Sequence, residues 1–87
     1  MELVITDTAK EDIRFFLKSG QTSLVKKIEN LLISIQETPF AGIGKPEPLK
    51  HEYSGKWSRR ISSEHRIIYE IKDVTIFILS ARGHYAR

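Results

Sequence analysis

The chain contains no cysteine, which excludes both a disulfide framework and thiolate chemistry. Proline is scarce: three residues, all between positions 39 and 48, so proline breaks no regular element elsewhere. No apolar run approaches membrane-spanning length. The N-terminal MELVITDTAKED lacks the basic-then-apolar layout of a secretory leader, and the expected location is cytoplasmic. His51, His65 and His84 show no metal-ligand spacing and have no acidic cluster beside them. No nucleophile elbow is present, and the glycines of AGIGKPEP do not form a phosphate-loop pattern. No metal or cofactor is expected.

What is present suits one small domain spanning residues 1–87. Hydrophobic residues make up 40% of the 87, enough for a modest core. The formal net charge is +3, and it is unevenly spread. Residues 45–66 carry six bases against three acids, and 82–87 add Arg82 and Arg87 without an acid; the rest is net acidic. A C-terminal half charged in this way attracts polyanions such as nucleic acid, although a solvated basic surface fits the same count.

Leu3-Val4-Ile5 reads as a short buried strand. Thr8 and Glu11 have capping-box spacing, Asp7 is a second candidate N-cap, and Ala9, Ile13, Phe16 and Leu17 recur at helical intervals until Ser19-Gly20. A second helix is expected from about 21–23 to Thr38-Pro39, with Leu24, Ile28, Leu31, Leu32 and Ile35 as its apolar stripe. A long segment over 38–56 holds all three prolines, and loops of that length are often functional. Strands are predicted over 57–62, 65–71 and 74–82, joined at Ser63-Glu64 and Lys72-Asp73. The expected fold is α+β: an N-terminal strand, two helices, then a three-strand antiparallel meander, with the helices packed on one sheet.

Three features carry candidate chemistry. In GKPEPLKH, Pro46 and Pro48 stiffen the backbone around Glu47 and bias it toward extended geometry, while Lys45 and Lys50 favour a charged carboxylate. Glu47 is then either a held proton acceptor or a surface glutamate in a polar loop. In WSRRIS, strand alternation sets Trp57, Arg59 and Ile61 on one face and Ser58, Arg60 and Ser62 on the other, with Arg66 opening the next strand. Such arginines suit phosphate; equally, they pair with Glu52, Glu64 or Glu70. His84-Tyr85 offers a titratable imidazole and a phenol, or else a frayed tail. Together, a carboxylate base, a histidine acid and arginines around a phosphate suffice for metal-free RNA cleavage through the ribose 2′-hydroxyl.

The string TPF-G-GKPEPLKH, then SG-WSRRI, EHR and a late HY, strongly resembles the YoeB/Txe family of the RelE-like toxin superfamily, found in toxin–antitoxin systems. The resemblance covers nearly the whole chain and is densest over 38–71. It implies a RelE-like microbial RNase fold and a ribosome-dependent mRNA endonuclease working at the ribosomal A site. It implies as partners a YefM-like antitoxin, mRNA and the ribosome, and it implies a homodimer. By position, Glu47 is similar to the family's general base and His84 to its general acid. Arg66 resembles the phosphate-stabilising arginine, and Tyr85 the tyrosine that orients the substrate. Lys50, Arg60 and Glu64 match positions that support substrate binding or site geometry. The chain departs from the pattern in continuing past Tyr85 with Ala86-Arg87, and in having Gly83 where an aromatic is frequent.

Two other readings fit the residues. A non-catalytic RNA- or ribosome-binding module needs only the basic patch. A regulatory partner acting in a DNA-bound complex needs a recognition helix, and only Lys26-Lys27 are adjacent bases on the second helix.

Overall fold

The computed structural model describes residues 1–83. Strand β1 is Glu2–Ile5 and helix α1 is Asp7–Lys18. The helix is capped by Thr6 rather than by Asp7 or Thr8. Thr6 is extended (φ −66°, ψ 164°), and its hydroxyl accepts the Ala9 N–H at 3.3 Å. The same hydroxyl lies 2.7 Å from the Ile78 carbonyl, so a long-range bond selects the cap. Helix α1 buries Ala9 and Phe16, whereas Leu17, expected in the stripe, is exposed. Helix α2, Thr22–Glu37, buries Val25, Ile28, Leu31 and Ile35, with Leu24 and Leu32 partly buried beside them. It stops at Thr38, ahead of Pro39, as expected.

Four further strands follow: β2 (Glu47–Pro48), β3 (Lys56–Arg60), β4 (Arg66–Lys72) and β5 (Thr75–Ser80). The antiparallel meander β3-β4-β5 is present, with its last turn at Asp73-Val74 instead of Lys72-Asp73; Asp73 there takes a left-handed φ of 56°. The sheet around it is larger than expected. It has five strands in the order β1-β5-β4-β3-β2 and is mixed, because β1 runs parallel to β5 with Leu3 opposite Ile76 and Ile5 opposite Ile78. The segment 38–56 is not one structureless loop: it contains β2 and a 3-10 turn at His51–Tyr53. Glu47 therefore lies in a strand, paired to Ser58, with Pro48 opposite Trp57. Strand β2 is an edge, where a residue without an N–H does no harm.

The core occupies one side of the sheet, where Ile67, Tyr69, Ile76 and Ile78 meet Phe16, Ile28, Leu31 and Ile35. Arg59 is buried on that same side at 0% exposure. Its guanidinium donates to the Tyr69 hydroxyl (3.1 Å), Ser34 Oγ (2.9 Å) and the carbonyls of Ile43 (2.9 Å), Thr38 (2.7 Å) and Ala41 (2.8 Å). Among the described residues no carboxylate forms an ion pair with it. Arg59 thus gathers the chain leaving α2 instead of facing a substrate. Gly42 and Gly44 allow this close wrapping. Both have positive φ (118° and 82°); a Cβ on Gly42 would lie 2.5 Å from Ser34 Oγ, and one on Gly44 2.6 Å from Leu31 Cδ2. Among the described residues no helix is long and apolar enough to cross a membrane.

Candidate active site

Cross-strand partners share a face, so the pairings Glu47–Ser58, Ser58–Ile68 and Arg60–Arg66 set Glu47, Ser58, Arg60, Arg66 and Ile68 together. This face is opposite the one that carries Arg59 and Tyr69. From the edge strand, Glu47 reaches diagonally across β3, and its Oε1 lies 3.9 Å from Arg66 Nη1 on β4. Two residues 19 positions apart in sequence are brought into charge contact by register alone. At that length the pair is an ion pair without a direct hydrogen bond. The Glu47 side chain is 58% exposed and that of Arg66 only 16%. A long ion pair with one partner exposed adds little to stability, so its interest lies in reactivity. The positive partner of Glu47 is Arg66; neither Lys45 nor Lys50 reaches it within 4.0 Å.

Arg60 and Arg66 stand directly opposite on neighbouring strands. Like charges so disposed repel, and an anion between them relieves the repulsion. On the same face, Ser58 is fully buried and its hydroxyl has no hydrogen-bond partner among the described residues. A buried unpaired hydroxyl is costly and warrants a role. No sequence signal marked Ser58, because a serine in a strand is unremarkable until its neighbours are known.

The remaining expected site residues are less tightly assembled. Lys50 is exposed and precedes the 3-10 turn. Glu64 is exposed in the β3–β4 connection, and its Oε1 is 4.0 Å from His65 Nε2 instead of on an arginine. His84 and Tyr85 lie outside the described residues. Gly83, the residue before them, has a carbonyl that accepts the Arg66 N–H at 3.1 Å and an N–H that donates to His65 Nδ1 at 2.9 Å. From sequence, His65 only opens a strand and lacks metal-ligand spacing. Among the described residues no group of three or more His, Asp or Glu is arranged to hold a metal ion.

Comparison with known proteins gives this arrangement a family. Residues 5–85 match the model of the YoeB-like toxin of bacterial type II toxin–antitoxin systems. The chain belongs to that family. It is 46% identical to Toxin YoeB of Synechocystis over 87 residues, covering all of both chains. A solved YoeB/ParE toxin from Agrobacterium tumefaciens superposes with a TM-score of 0.91 at 40% identity, covering 98% of this chain and 100% of that one. YoeB of Staphylococcus aureus, 41% identical, has been solved as a dimer (TM-score 0.84) and in a heterotetrameric YoeB-YefM complex (TM-score 0.83), with 98% of both chains covered in each. In this YoeB-family chain, the β2-β3-β4 face brings Glu47, Arg60 and Arg66 together.

Proposed function

We propose that this toxin is an endoribonuclease that cuts translated mRNA at the ribosomal A site, acting as one RelE-like domain over residues 1–87. The observation that carries the reading is the 3.9 Å contact between Glu47 Oε1 and Arg66 Nη1, with Arg60 beside it. A proton acceptor and two phosphate-seeking forks share one sheet face there.

Glu47 takes the proton of a ribose 2′-hydroxyl. The freed oxygen attacks the adjacent phosphorus and the bond to the 5′-oxygen breaks, leaving a 2′,3′-cyclic phosphate. Arg66, half-buried in the sheet face, stabilises the charge that builds on the phosphoryl oxygens. His84 protonates the departing 5′-oxygen and Tyr85 orients the substrate. Lys50, Arg60 and Glu64 support RNA binding and site geometry. Every proton is handled by a side chain, so the proposed reaction is metal-independent.

A YefM-like antitoxin neutralises the toxin in the cytoplasm, in keeping with the complex solved for the Staphylococcus relative, and the dimer solved for that relative supports a homodimer here. The test is mapping of new 5′ ends on translating mRNA. Glu47→Gln keeps shape but loses the base, and cleavage should fall by about 10²-fold or more. His84→Ala should have a comparable effect. Blocked translation with intact mRNA would favour a non-catalytic ribosome-binding inhibitor instead.

A further inference from the structure

We infer that His65 is a positioning residue for the reaction proposed above: its ring clamps Gly83, the residue that leads into His84. The clamp has two halves from consecutive residues. Gly83 donates its N–H to His65 Nδ1 at 2.9 Å, and its carbonyl accepts the N–H of Arg66 at 3.1 Å. Both backbone groups of the residue before His84 are held, and one of the two holders is the arginine that meets Glu47.

His65 is itself held from several sides. Its carbonyl accepts the N–H groups of Ile61 (2.9 Å) and Ser62 (3.1 Å), and its own N–H donates to Ser62 Oγ at 3.2 Å. Its ring meets Phe16 of α1 edge-on, with centroids 5.0 Å apart at 72°. Among the described residues, Glu64 Oε1 lies 4.0 Å from Nε2. An imidazole nitrogen that accepts an N–H cannot carry a proton, so the ring proton is on Nε2, toward Glu64. The Gly83 backbone has φ 75°, a left-handed conformation held by this pair of bonds. A side chain at position 83 would be strained at that φ, so glycine suits the clamp.

Two variants separate the acceptor from the ring. His65→Phe keeps the edge against Phe16 and loses the acceptor. His65→Asn loses the ring but keeps an oxygen where Nδ1 stood. Nitrogen NMR of the wild-type chain should show Nδ1 unprotonated and Nε2 protonated. The Gly83 amide should exchange slowly in wild type and H65N, and about tenfold or more faster in H65F. On translating ribosomes, H65F should lower kcat by about tenfold or more with little change in KM, and H65N should recover most of it. A protonated Nδ1 in the neutral ring, or equal Gly83 protection in H65F, overturns the clamp. Unchanged kcat in H65F overturns the positioning role. If wild type cuts no RNA while Gly83 is protected, the nuclease reading fails and the catalytic consequence fails with it, yet the clamp stands.

Discussion

Replacing Arg59 with methionine tests the claim that a buried cation organises the chain before the active site. The substitution preserves an unbranched side chain but removes five hydrogen bonds, to Tyr69, Ser34, Ile43, Thr38 and Ala41. At about 1 kcal/mol net each the loss sums to about 5 kcal/mol. Burying guanidinium is itself costly, and methionine relieves that cost; replacing buried ions by apolar groups is sometimes neutral. The difference here is the partners. Three are backbone carbonyls that no substitution removes: Thr38 O keeps the Ala41 N–H and Ala41 O keeps the Thr38 hydroxyl, but each loses a strong charged donor, and the Ile43 carbonyl must find water or remain unpaired. A net destabilisation of about 3–5 kcal/mol is therefore expected. That is a large share of the roughly 4–13 kcal/mol typical of a chain this long. Urea unfolding followed by far-UV circular dichroism measures it. The fluorescence of Trp57, whose ring packs on Phe40 at 5.0 Å, reports the loop independently and should shift even without denaturant. A variant within about 0.5 kcal/mol of wild type, with unchanged emission, would refute the reasoning.

Gly44→Ala should destabilise by about 2–4 kcal/mol, since a Cβ would strike Leu31 Cδ2 at a backbone φ of 82°; thermal unfolding reads this directly. The Tyr69 phenol is pushed above its ordinary value of 10.0 by burial, against an opposing pull from Arg59. The folded form thus keeps a proton that the unfolded chain releases, so this contribution to stability is intact below about pH 10 and is lost as pH rises further. Wild type should lose more stability than Tyr69→Phe between about pH 9 and pH 11, as urea midpoints would show. Arg66→Lys keeps the charge but not the fork, and should lower kcat for mRNA cleavage by about 10–100-fold with a smaller change in KM; equal kcat would remove Arg66 from charge stabilisation.

Much of this protein follows from local chemistry. Helix α2 is written in the spacing of Ile28, Leu31 and Ile35, and its end in Thr38-Pro39. The extended state of Glu47 follows from Pro48, because proline restricts the residue before it regardless of the rest of the fold. The meander strands are legible for the same reason: hairpin neighbours are close in sequence. What local pattern does not contain is register between distant segments. The parallel pairing of Leu3 with Ile76 spans most of the chain, and so does the bond from Thr6 to Ile78 that moves the α1 cap from its expected position. Arg59 and Arg60 are adjacent and chemically identical, yet the pleat buries one under α2 and leaves the other beside Arg66. In the same way, the sequence alone identifies Glu47 as a stiffly held carboxylate. Its arginine was decided by the tertiary structure, because only strand pairing sets which charges on one face come within 4 Å.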